Sequence, residues 1–470
     1  MKVRVLLSTL LLGVGIPALA QNCNSTGSVN TLICATAQLY GPSGLLLPNK
    51  HHAAHFASAS LEGIGPLGVV MGEQLSTRPL GSTGSGVSFT FDQNHVPIPT
   101  EDSLGPILTE RAETIGRNRI NLGVTYQHFT FGEVDGLHLD RLPVVLSHSE
   151  FQVPIGGVQV TPPFENDYIT TTDRVGLALH QIVFYGSYGV TSRFDVSAEI
   201  PFEKVHLNII SNAFIVRTVA CEFNATCNVG PFAGFSQCNE FHYFGDDCAG
   251  ALKNTSATFT RHGDPNGIGD VVLRGKYQVI KGEKISVSGG LAVRLATGDE
   301  KNYLGSGALG LEPFGAITYR SRFSPHLRLG YQWNGDTILA GKPVVTTVNP
   351  GPQQTSFFNF SKANLPHEFL YSGGIDVKFS RRVTVAADLL GERVFNSSRF
   401  KLTTTAPDVF GNTLPNLTSY TGDYDSDAIA LGAKARLKGQ LVLTGNITKR
   451  INSGGLRAGV VPLIGVSYAF

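Results

Sequence analysis

The chain has 470 residues, with 37 Lys and Arg against 36 Asp and Glu, 54 glycines, two methionines and one tryptophan. A near-neutral charge with no basic stretch excludes a nucleic-acid-binding surface. A mean hydropathy of +0.05, without about eighteen consecutive apolar residues anywhere after residue 20, excludes spanning helices and leaves the apolar surface spread over many short segments.

Lys2 and Arg4 precede an apolar run from Val5 to Leu12 and the small-residue pattern Ala18-Leu19-Ala20, which predicts a signal peptide removed before Gln21. The nearest thiol to that cleavage point is Cys23, two residues on, so lipidation is not expected. Six cysteines, Cys23, Cys34, Cys221, Cys227, Cys238 and Cys248, are an even number in an exported chain and predict disulfides. The last four fall in one long connection, where sequential pairing is the expected connectivity among the three that four cysteines allow.

Residues 21–85 form a segment of their own, rich in Ala, Gly and Ser from Asn49 to Ser85. They either plug the barrel that follows or hang beneath it as a periplasmic linker, and the apolar groups Leu45 to Leu47 and Leu67 to Val70, which need cover, favour the plug. His51, His52 and His55 are close enough in sequence to share a metal, but an exposed segment explains them equally well. No metal ligand and no cofactor is assigned.

Residues 21–117 do not alternate cleanly, and the regular pattern starts at Ile120. Val87, Phe89 and Phe91, returning through Ile107 and Leu108, offer one extra hairpin that would make fourteen strands. Ile120, Leu122, Val124 and Tyr126 oppose Asn121, Thr125 and Gln127, and a strand from Leu177 to Tyr188 turns into Phe194, Val196, Ala198, Ile200 and Phe202 against Asp195, Ser197, Glu199 and Glu203. After Glu203 the apolar phase moves to Val205, Leu207 and Ile209, which predicts a bulge near the membrane rim. Val271, Leu273, Gly275 and Tyr277 alternate with Asp270, Arg274, Lys276 and Gln278, then turn at Lys281 to Lys284 into Ile285 to Leu295. The pattern recurs over Leu309 to Tyr319, His326 to Asn334, Tyr371 to Phe379, a strand from Val383, Ile429 to Leu437, Leu441 to Thr448, and Val460 to Phe470.

These twelve strands alternate short turns with long connections, the latter being Gly132 to Asn166, Ile215 to Gly267, Asp299 to Ala308, Thr337 to Pro366, Phe395 to Asp427 and a shorter one near Asn452. The fold class is therefore all-β: an antiparallel up-and-down transmembrane barrel of 12, possibly 14, strands over residues 86–470, in a bacterial outer membrane. Phe470, an aromatic end on the last strand, resembles the assembly signal of such proteins, so membrane lipid and the barrel-assembly machinery are expected partners; the oligomeric state is left open. The inward set comprises Asp195, Glu199, Asp270, Arg274, Lys276, Arg294, Arg328, Asp376, Lys378, Asp388, Glu392, Lys434 and Arg436. Both signs are present, which reads either as a tuned pathway or as an ion-pair lattice that stiffens a narrow barrel. Asp423, Asp425 and Asp427 read as a solvated acidic tip ahead of a calcium site. There is no G-x-S-x-G elbow, HExxH or Walker loop, so no enzyme is predicted.

Tyr185 to Phe202, Gly263 to Ile280, Gly289 to Asp299, Leu304 to Tyr319 and His326 to Asp336, in that order, resemble the outer-membrane family named for the meta-cleavage pathway of phenol degradation. The resemblance runs from Glu113 onward. It implies a channel of the class that admits hydrophobic compounds such as aromatic hydrocarbons and fatty acids, with a small hydrophobic or aromatic solute as ligand. A general polar-solute porin and a barrel enzyme acting on lipid or ester are the alternatives. The long N-terminal segment and the four-cysteine connection depart from the family pattern.

Overall fold

A computed structural model describes residues 21–23, 31–49, 52–77, 89–91, 97–99, 104–147, 153–160, 163–218, 241–245, 254–341, 343–348, 355–380, 382–408 and 410–470. The predicted signal peptide, His51 and the four cysteines from Cys221 to Cys248 lie outside these residues. Twelve antiparallel strands close into one barrel. They are β1 (Ile120–Val134), β2 (Tyr168–Gly189), β3 (Phe194–Val216), β4 (Val272–Lys281), β5 (Ile285–Arg294), β6 (Gly310–Tyr319), β7 (Phe323–Asn334), β8 (His367–Lys378), β9 (Val383–Thr404), β10 (Pro415–Arg436), β11 (Leu441–Arg450) and β12 (Val460–Ala469). β12 pairs back onto β1 from Leu463↔Gln127 to Ala469↔Asn121. Phe470 completes the seam by exchanging backbone hydrogen bonds with Ile120. The short turns all fall at this end and the long connections at the other.

The expected fourteen-strand alternative fails for a plain reason. Phe89–Phe91 pairs with Pro97–Pro99 as a separate two-stranded sheet, and Ile107 is fully buried in the lumen rather than in the wall.

Below the long-loop end the outer face is apolar: Ile200, Leu273, Leu291 and Trp333 are each more than two-fifths exposed around a lumen lined with charge. No helix among the described residues is long and apolar enough to cross a membrane. Several strands are far longer than a crossing needs. β3 has 23 residues, and at ~3.3 Å per residue it runs about 75 Å, against an apolar band of about 25 Å.

This length explains the phase change at Glu203. β3 keeps unbroken register with β2 from Asp195↔Gly189 to Val216↔Tyr168, so β3 itself has no bulge at Glu203; the irregularity lies in its other neighbour, where Gly269 to Val271 stand opposite Ile200 and Pro201. The same face points inward throughout. What changes is the medium on each side: Asp195, Glu199 and Glu203 face a polar lumen in the lower half, while Val205, Leu207 and Ile209 join an apolar core in the upper half. The outward positions invert with them, from Ile200 and Phe202 to Lys204, His206 and Asn208. The expected long connection from Phe395 to Asp427 is likewise mostly strand, with β9 and β10 paired up to Thr404↔Pro415. Its residues above the apolar band alternate too weakly in hydropathy to read as strand from sequence.

The upper core is built around the N-terminal segment. Cys23 and Cys34 are disulfide-bonded, and α1 (Leu32–Ala35) and α2 (Ala57–Ser76) pack within the long-loop half of the barrel. α2 touches α1, the strand Leu142–Leu146, the upper parts of β9 and β10, and a hairpin of Pro343–Val348 with Thr355–Phe360 from the β7–β8 connection. It is buried on nearly all sides, as an apolar helix must be. Close approach requires its glycines: a Cβ on Gly65 would meet the Phe358 ring at 2.3 Å, and one on Gly72 the Tyr303 ring at 2.6 Å. Phe358 and Phe360 are thus packing residues of this core.

Candidate functional site

The short-turn half of the lumen holds a second stretch of chain, Leu104 to Arg119, which has no sheet of its own. Its backbone donors therefore need side-chain acceptors from the wall. Leu104 N donates to Thr384 Oγ1 (2.8 Å), Leu108 N to Asp388 Oδ2 (3.2 Å), Ala112 N to Thr318 Oγ1 (2.9 Å) and Ile115 N to Asp195 Oδ2 (2.8 Å). The same segment brings counter-ions. Glu110 lies 3.1 Å from Lys276 Nζ, 3.5 Å from Arg328 Nε and 4.0 Å from Arg274 Nε. Burial pushes the Glu110 carboxyl up, but Lys276, Arg274 and Arg328 together outweigh it and hold the group down at about 2. Arg111 Nη2 meets Asp376 Oδ2 at 2.5 Å, and Arg320 Nε meets Glu113 Oε1 at 3.0 Å.

Between the end of α2 and this segment lies a cavity of about 270 Å³. One wall is apolar, formed by Phe129 and Phe131 of β1 with Leu456, Ala458 and Val461. Also around the cavity stand Arg274, Arg294, Arg328 and Arg450 with Glu110, Glu199, Glu312, Glu368 and Glu392, four arginines among five glutamates, and Arg450 adjoins the apolar wall by donating to Leu456 O. Within it Arg328 pairs with Glu312 (2.6 Å) and Arg274 with Glu199 (3.1 Å). Arg328 also stacks 4.5 Å from the Phe314 ring centroid. The apolar wall coincides with a fault in the barrel: β1 pairs with Leu456–Ala458 above and with Leu463–Ala469 below, and Gly459 to Pro462 have no partner residue on β1. Two successive outward residues, Gly459 and Val460, mark the slip, and Pro462 has no N–H to donate.

The thirteen residues expected to face inward divide in three. Glu199, Arg274, Arg294, Arg328 and Glu392 line the cavity. Asp195, Asp270, Lys276, Asp376, Asp388 and Lys434 are buried elsewhere in the interior. Of these, Asp270 accepts from Gly298 N (3.0 Å) and Ser306 N (2.7 Å), fixing the β5–β6 connection, and Lys434 Nζ reaches Leu104 O at 3.5 Å. Lys378 is exposed and Arg436 half-buried, both at the short-turn rim. Sequence reading passed over Glu312, Glu368 and Arg450. Glu312 was within reach, since it shares the inward phase of its strand with Phe314 and Ala316.

Asp423 and Asp425 sit on the outer face of β10, paired with Arg393 at 3.4 and 3.3 Å, and Asp427 accepts from Tyr371 Oη (2.5 Å) and Asn452 Nδ2 (2.9 Å). Asp423 and Asp425 are exposed as well as paired, and Asp427 is half-buried. Thr109 Oγ1, His326 and Asp388 also meet, with Thr109 2.5 Å from His326 Nε2 and 3.1 Å from Asp388 Oδ1. A single hydroxyl proton donated to Asp388 leaves the imidazole as donor to Thr109, the reverse of what a nucleophile requires.

Residues 206–362, about a third of the chain, match the family model described as "Putative MetA-pathway of phenol degradation". No curated protein matches. Among solved structures, an outer-membrane channel from Pseudomonas putida F1 is similar at 11% identity over 76% of this chain and 98% of its own, with a TM-score of 0.38. The CymD monoaromatic hydrocarbon channel follows at 9%, over 75% and 88%, with 0.31. A FadL homologue of Pseudomonas aeruginosa stands at 10%, over 75% and 90%, also with 0.31. Likenesses this distant distinguish no function among barrels. The matched span holds four of the five stretches on which the family resemblance rests, with Tyr185 to Phe202 outside it, and across residues 206–362 the chain is similar to the family of the phenol-degradation meta pathway.

Proposed function

We propose that the mature protein is an outer-membrane channel for passive uptake of small hydrophobic or aromatic compounds, with its long connections outside, its short turns in the periplasm and residues 21–85 as the plug. The observation that carries this is the cavity. Its volume of about 270 Å³ suits a one-ring solute, since a cavity of roughly 150 Å³ already holds benzene. An apolar wall offers such a solute a place to lie. The charged part of the lining, four arginines among five glutamates, sets up little net field that would draw in either sign of ion. The apolar wall ends at Gly459 to Pro462, which lack partners on β1 although Val460 to Pro462 pair with β11, and this gap on one side gives a solute a sideways exit into lipid. No enzyme activity is part of this reading, and the family match over residues 206–362 supports it.

The test is uptake by proteoliposomes. Radiolabelled toluene or a fatty acid enters faster than into protein-free vesicles, glucose does not, and Val461→Asp lowers the hydrophobic flux several-fold. Free glucose passage without hydrophobic uptake makes the protein a polar-solute porin; hydrolysis of a supplied lipid or ester makes it an enzyme.

A further inference from the structure

Three pieces of chain that are far apart in sequence converge at the long-loop end: the stretch ahead of α2, the β1–β2 connection and the β3–β4 connection. They bring His52 and His55 against Glu165, in the 3-10 turn Pro163–Asn166, and against His242. One ring nitrogen from each of the three histidines lies within 4.8 Å of the others. His52 Nδ1 is 3.1 Å from His55 Nδ1 and 3.1 Å from Glu165 Oε1, while His55 Nδ1 is 3.5 Å from Glu165 Oε2. Four donors around one tetrahedral ion, with bonds of about 2.0–2.2 Å, stand roughly 3.3–3.6 Å apart. The spacings among His52, His55 and Glu165 come close to that, and His242, within 4.8 Å of both histidines, moves in by about an ångström to complete the set.

The surroundings are those of a built site. His52, His242 and Glu165 are at most 3% exposed, and the Phe56 ring packs 5.0 Å from that of His242. His242 Nδ1 lies 3.2 Å from Asp167 Oδ2, and Asp167 Oδ1 accepts in turn from Thr218 N at 2.9 Å. A carboxylate holding one imidazole nitrogen so that the other meets a metal is the usual outer-shell arrangement at zinc. Three imidazoles and one carboxylate suit zinc better than calcium or magnesium, which take oxygen ligands.

We propose that His52, His55, His242 and Glu165 form a zinc site that clamps the N-terminal segment to two of the long connections. The site does not depend on what the barrel carries. With Nδ1 of His242 engaged by Asp167, its Nε2 serves the ion; both oxygens of Glu165 face the pair His52 and His55. Closure by four protein ligands makes the site structural.

The experiment uses the full mature chain without a polyhistidine tag, stripped with a chelator and titrated in detergent with Zn²⁺ and, separately, with Co²⁺. The expected result is one equivalent of Zn²⁺ bound, and a Co²⁺ spectrum of tetrahedral intensity that Zn²⁺ abolishes. Asp167→Asn, which keeps every ligand, weakens affinity by about 10–100-fold, and the double variant His52→Ala with His242→Ala removes the tetrahedral signal. Absence of stoichiometric binding or of the Co²⁺ signal in the unaltered protein overturns the proposal, and so does an unchanged signal in the double variant.

Discussion

Arg111 and Asp376 meet at 2.5 Å with both side chains buried, so the pair shows what the inward charges do. A buried carboxylate that loses its guanidinium partner typically costs about 3–5 kcal/mol. Arg111→Ala is therefore expected to lower the unfolding midpoint of the detergent-solubilised barrel, and an unchanged midpoint would place the pair in water. Glu73 makes a different residue-scale prediction. Burial on α2 raises its carboxyl to about 7, against hydrogen bonds from Ser397 and Ser398 that oppose the shift. Its folded value lies above the ordinary one of 4.5, so its contribution to docking is complete below about pH 4.5 and is lost as pH rises through 7. Hydrogen exchange of α2 amides, corrected for intrinsic rate, should quicken between pH 5 and 8. Glu73→Gln keeps an acceptor for Ser398 N and should abolish that dependence.

Among elements, β3 is the most instructive. Alternation gave its strand identity and its inward face, and Asp195 and Glu199 lie where that face puts them. It could not reveal that the strand leaves the bilayer near Lys204, because period two reports two faces without saying which is wet. Hence Val205 read as a bulge when it is a core residue of the upper half. α2 was harder to see, since glycines at 63, 65, 68 and 72 depress helix propensity. Those glycines make sense only once the neighbours are known: a Cβ on Gly68 would lie 2.8 Å from Ile33 O, a backbone atom that cannot swing aside. Gly68→Leu should destabilise docking by about 1–3 kcal/mol, seen as earlier protease cleavage within residues 31–77. Gly445→Ala, where a Cβ meets nothing within 4 Å, serves as the neutral control.

At the scale of the molecule, twelve strands, their turn asymmetry and five of the cavity-lining charges were legible from the sequence. The partners of those charges were not, because Glu110, Arg111 and Glu113 sit in a segment without periodicity, and only the closed barrel brings them to walls some hundreds of residues away. The His52, Glu165 and His242 grouping was hidden for the same reason. The resulting architecture is a barrel occupied twice, by helices in its upper half and by Leu104 to Arg119 below, with a small cavity between. Planar-bilayer conductance, comparing the mature chain with a form lacking residues 21–85, tests this occupied lumen directly. The expected result is little conductance from the mature chain and a large, steady conductance after deletion; a mature chain that already conducts as an open pore, or a deletion that changes nothing, would contradict it.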